Sequence, residues 1–131
     1  MSKFFWSWIG AVVCLVGLGC GGAGLGPTEF IVRVDSISAP DAIAATDTLI
    51  VRFWGRLGPD GCSRLDEFDT GRAPGVFEIT FHGERLERGQ CTDMPVALIH
   101  DETILPPMQD PFTIRVRQPD GTTLNKSVRI R

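Results

Sequence analysis

Beyond residue 29 the chain alternates hydrophobic and polar side chains with a period of two, in short runs broken by turn residues. "TLIVRFWG" (48–55) sets Leu49, Val51 and Phe53 on one side and Ile50, Arg52 and Trp54 on the other. "VFEITFHG" (76–83) opposes Phe77, Ile79 and Phe81 to Glu78, Thr80 and His82, and "FTIRVR" (112–117) opposes Phe112, Ile114 and Val116 to Thr113, Arg115 and Arg117. "FIVRV" (30–34), "VALIH" (96–100) and "LNKSVRIR" (124–131) complete six candidate strands, and "SRLDEFD" (63–69) is a less regular seventh. A strand sends successive side chains to opposite faces, so these runs predict strands with one face on a core, in an antiparallel arrangement.

Punctuation between the runs agrees. "GPDG" (58–61) and "QPDG" (118–121) are turn sequences in which Pro fixes φ and Gly supplies a positive φ. "APG" (73–75), "HGE" (82–84) and "LPPMQDP" (105–111) are expected to end the neighbouring runs. Helical spacing is lacking, and "APDAIAATD" (39–47) predicts one helical turn at most. Six or seven short strands in about 100 residues predict a single all-β domain over 30–131, folded as an antiparallel β-sandwich.

The start of the chain follows another pattern. Residues 4–28 are uncharged, with Lys3 before them, and all 16 acidic residues lie at or after Glu29. A basic start, an apolar run and a patch of small residues is the layout of a secretory signal. As a helix, Phe4–Gly19 reaches roughly 24 Å, short of the ~30 Å hydrocarbon core, and the Gly-rich residues that follow are poor helix formers. A cleaved signal is therefore expected over a retained span.

The residues "LVGLGC" (15–20) resemble the lipobox of bacterial lipoproteins, with small Gly19 and Leu18 ahead of the cysteine, although Gly17 stands where Leu is common. The resemblance implies a signal peptide over 1–19, lipid modification of Cys20 and a flexible tether over 20–29. Several acyl chains on one residue make a durable membrane anchor. Cys14, preceded by Val13, lacks the small residue the pattern requires. The alternative is a secreted protein cut after a small residue such as Ala23.

From 30 to 131 the pattern and size are similar to the immunoglobulin-like domains of bacterial surface lipoproteins. The Cys…Trp…Cys order of true immunoglobulin domains is absent, because Trp54 precedes both Cys62 and Cys91. Function does not follow from such a fold. The formal charge is −3, and loss of Lys3 with the signal leaves 12 basic against 16 acidic residues, or −4. That balance argues against nucleic acid as a partner.

The remaining chemistry is sparse. Export leaves Cys62 and Cys91 as the available cysteine pair, which predicts a disulfide worth roughly 3 kcal/mol through loop-closure entropy. His100 and Asp101 are adjacent, so a strand would point them to opposite faces, and His82 is expected as a solvated ring at a strand end. No metal site and no cofactor are expected. There is no G-x-S-x-G and no phosphate-cradling Gly loop. The carboxylates Asp66, Glu67, Glu84 and Glu87 are expected in a solvated rim with Arg64, Arg72, Arg85 and Arg88.

One surface is a candidate for contact. Ile50, Arg52 and Trp54 form an outward stripe of residue types enriched at binding hot spots. Against this, tryptophan buries most of its area in most settings, so packing of Trp54 over the nearby turn and disulfide is the expected arrangement. The sequence reads as a non-enzymatic protein of the bacterial envelope, anchored through lipid and facing the periplasm or exterior. It would bind an envelope protein or polymer, or serve a structural role. The alternative is an inhibitor or accessory subunit docking on a secreted enzyme.

Overall fold

The computed structural model describes residues 26–87 and 89–131. Expectations for Cys14, Cys20, the signal and most of the tether, and for Arg88, lie outside the described residues. Among the described residues nine strands form and no helix does. They are β1 (Thr28–Ile31), β2 (Arg33–Ser38), β3 (Ala42–Ile43), β4 (Leu49–Gly58), β5 (Ser63–Ala73), β6 (Val76–Arg85), β7 (Val96–Ile104), β8 (Phe112–Arg117) and β9 (Thr123–Ile130).

They make two sheets. The larger is mixed and runs β1-β6-β8-β9-β3, with β5 also on β6; the smaller is antiparallel and runs β2-β4-β7. Strand pairing begins at Thr28, opposite Arg85, two residues ahead of the expected boundary. The chain leaves the large sheet for the small one at Val32, which is fully buried and donates its N–H to the Phe81 carbonyl at 2.9 Å.

The alternation seen in the sequence sorts the side chains. Leu49, Val51 and Phe53 of the small sheet join Phe77, Ile79, Phe81, Phe112, Ile114, Val116 and Val128 of the large one in a single buried cluster. Phe53 and Phe81 meet edge to face across it, with centroids 5.4 Å apart, a favoured aromatic geometry.

The structure departs from expectation in several places. Two pairs are parallel rather than antiparallel: β6 with β8, from Val76↔Thr113 to Ile79↔Val116, and β3 with β9. The excursion through β7 separates β6 from β8, and a connection of that length permits a parallel return. "APDAIAATD" yields the two-residue strand β3 instead of a helical turn, held by backbone bonds to the end of β9. "SRLDEFD" extends into β5, eleven residues long.

"HGE" does not break β6, which continues to Arg85. Gly83 stands in that strand because a Cβ there would lie 2.6 Å from the Phe30 ring and 3.1 Å from Val32. A glycine inside a strand often marks such a close approach. Gly121 takes the positive φ its turn requires, at 83°, whereas Gly61 does not. At Gly61 a Cβ would meet Thr92 Oγ1 at 2.1 Å, so a larger residue there requires the Thr92 side chain to turn away.

Candidate functional site

The candidate stripe lies on the outward face of the small sheet. Its central strand β4 reads alternately buried and exposed from Leu49 to Trp54, so Ile50, Arg52 and Trp54 share the outer side. Register with β7 sets their neighbours: Trp54 opposite Ile99, Arg52 opposite Asp101, and Ile50 opposite Thr103. Ile50 is 60 % exposed, Ile99 64 % and Trp54 38 %. Trp54 thus keeps more than a third of its area exposed on this face. It borders a groove of about 440 Å³ with Ser38, Ala39, Pro40, Ile50, Arg52 and Asp101.

Polar chemistry in the groove is concentrated in one pair. Arg52 donates from Nε to Asp101 Oδ1 at 2.5 Å and from Nη2 to Oδ2 at 2.7 Å. This bidentate geometry is the strong form of the Arg–carboxylate pair. The hydrogen bonds and charge of Arg52 hold the Asp101 carboxyl below its usual range, and Asp101 raises the guanidinium in turn. The Arg52 guanidinium carbon also lies 5.9 Å from the Trp54 ring centroid, within cation–π range.

The sequence did not place Ile99 or Asp101 beside this stripe. "VALIH" is an apolar run without a clear alternating sign, and only its register against β4 assigns Ile99 and Asp101 to this face. The Pro40 side of the groove comes from the segment after β2, whose approach no local pattern encodes.

The other candidates are distributed elsewhere. Cys62 and Cys91 form a disulfide with Cα atoms 5.2 Å apart. Asp60 lies near both sulfurs, the one close grouping of metal-ligand types among the described residues, but the sulfurs are bonded to each other. His100 and Asp101 do point to opposite faces. His100 turns inward among Phe53, Phe68 and Phe81, with Nε2 2.9 Å from Glu102 Oε2.

His82 is within β6 rather than at a strand end, and its Nε2 lies 2.8 Å from Asp69 Oδ2. The rim is only partly solvated: Glu84 is buried and accepts from Arg64, and Arg72 donates to the carbonyls of Leu105 and Pro107. Arg85 pairs with Asp60 and Glu87. Its hydrogen bond, with one from the Cys62 N–H, holds Asp60 below the usual carboxylate range.

A second groove, of about 550 Å³, is lined by Arg72, Ala73, Pro74, Pro107, Met108 and Gln109. Its lining has Arg72, bonded to backbone carbonyls, but no carboxylate and no aromatic ring, so the groove beside Trp54 carries the wider range of chemistry. No protein-family model, curated protein or solved structure matches the chain.

Proposed function

We propose that this chain is a lipid-anchored protein of the bacterial envelope, and that its two sheets form an immunoglobulin-like β-sandwich serving as a non-enzymatic binding module. The observation that carries the binding role is the outward face of β4 and β7, where Ile50, Trp54 and Ile99 are exposed together around the Arg52–Asp101 pair. Large apolar side chains grouped on one sheet face mark an interaction surface more often than scattered ones do. The lipobox-like "LVGLGC" supports the anchor, and the Cys62–Cys91 disulfide suits an oxidising compartment. The sandwich is supported by one core shared between two sheets.

Two measurements test this. Cys20→Ser is expected to move the protein from the membrane fraction to the soluble one, or to leave its precursor uncut. Equal partitioning of wild type and variant overturns the anchor. In a pull-down from envelope extract, the wild type is expected to retain a component that Ile50→Ser/Trp54→Ala loses. Identical captures by both proteins overturn the binding face.

A further inference from the structure

The groove beside Trp54 also restricts what it can hold. Three strands about 4.8 Å apart and about nine residues of 3.3 Å rise give the face a footprint of about 14 by 30 Å, or some 400 Å². A stable protein partner covers about 800 Å² of accessible surface on each side and would extend well beyond the groove itself. An extended peptide on the free edge of β7 is a smaller alternative. That strand, however, points His100 and Glu102 inward toward the core, a feature that discourages edge pairing. The groove, of about 440 Å³, is open along the sheet face, a shape that suits a ligand lying along the surface rather than one enclosed in a cleft.

Its chemistry narrows the ligand further. Arg52 and Asp101 neutralise each other, so the groove offers no net charge to an ion. Both keep spare capacity: the guanidinium has N–H groups beyond the two used, and each carboxylate oxygen has a further lone pair. Donors and acceptors therefore lie side by side, flanked by the Trp54 ring and the Ile50 side chain, with Ser38 adding a hydroxyl on the opposite wall. Neighbouring hydroxyls, each both donor and acceptor, on a ring with an apolar C–H face satisfy all of these groups together.

Resting on the reading of this face as the binding surface, we propose that the groove binds neutral sugar residues of a polysaccharide. Ile50 and Trp54, four residues apart on one strand, span about 13 Å, so the site reads more than one ring and favours an oligosaccharide over a free sugar. The part of the Trp54 ring that Arg52 leaves uncovered supplies the apolar surface, and Arg52 and Asp101 bind the hydroxyls.

Calorimetric titration of the exported, disulfide-intact protein with cellotetraose, maltotetraose and tetra-N-acetylchitotetraose, and with their monosaccharides, tests the proposal. At least one tetrasaccharide is expected to bind with a Kd at or below the millimolar range, more tightly than its monosaccharide and with little salt dependence. Trp54→Ala is expected to weaken binding at least tenfold, as is Arg52→Met, which keeps most of the apolar bulk. Absence of heat with every tetrasaccharide at about 10 mM overturns the proposal. So does binding that survives both substitutions, or that falls steeply with salt. If all sugars fail while the envelope pull-down still depends on Ile50 and Trp54, the sugar assignment falls alone and the binding face stands.

Discussion

Gln118 is 5 % exposed, and both ends of its amide are engaged by one residue of the other sheet. Nε2 donates to the Val34 carbonyl at 2.8 Å, and Oε1 accepts from the Val34 N–H at 3.1 Å. Val34 lies at the bulge of β2, where the ladder with β4 shifts register. The side chain thus bonds a backbone donor and acceptor that would otherwise be buried without partners. Gln118→Ala is expected to cost about 2 kcal/mol, seen as a lower urea midpoint with the slope unchanged. Gly83→Ala forces a methyl group against the Phe30 ring and Val32. It is expected to cost about 1–3 kcal/mol by overpacking, and the same unfolding measurement checks it.

At the scale of elements, the strands differ in how firmly they are held. β4 lies between two partners and contributes buried side chains at alternate positions, whereas β3 pairs at only Ala42 and Ile43. Hydrogen exchange is expected to reach the β3 amides through local opening, well before those of β4. The segment between β6 and β7 contains no strand and is tied back at Cys91, opposite the turn that follows β4. Gly61 donates to the Thr92 carbonyl at 2.9 Å, reinforcing that junction. Cys62→Ser/Cys91→Ser is expected to lower stability by roughly 3 kcal/mol, the entropy of closing a loop of that length. Urea unfolding of the double variant against the oxidised wild type measures it.

For the molecule as a whole, surface aspartates held by ion pairs and hydrogen bonds contribute to the response to acid. Asp41, Asp60, Asp101 and Asp120 are each held below the usual carboxylate range, chiefly by hydrogen bonds from Lys126, Arg85, Arg52 and Thr122 respectively. A carboxyl with a depressed native pKa contributes stability that is complete above its unfolded value. That contribution is lost as pH falls through the native one. Stability is therefore expected to decline only below about pH 4, the ordinary aspartate range, from these four groups. Added salt should flatten the decline, since the Arg52–Asp101 pair is about half exposed and the Asp41 carboxylate is almost fully so. Urea midpoints across pH at two salt concentrations check both; a decline complete by pH 5 contradicts the assignment.

The strands of the core were legible because alternation is a local property. Leu49, Val51 and Phe53 must share one side of an extended chain, and Ile50, Arg52 and Trp54 the other, whatever strand lies beside them. The Cys62–Cys91 bridge was legible too, as the pair that an exported chain would leave for each other. Direction, sheet membership and register were not legible, because they depend on where distant segments return. A parallel β6–β8 pair and an antiparallel one would show the same hydrophobic period. Ile99 came to lie against Trp54, and Asp101 against Arg52, only when β7 paired with β4 in a particular register. The sequence by itself determined a two-faced β chain with an outward Ile-Arg-Trp stripe. Tertiary structure alone decided that Pro40 and Asp101 border that stripe as a groove, since the contacts that build it join residues far apart in the chain.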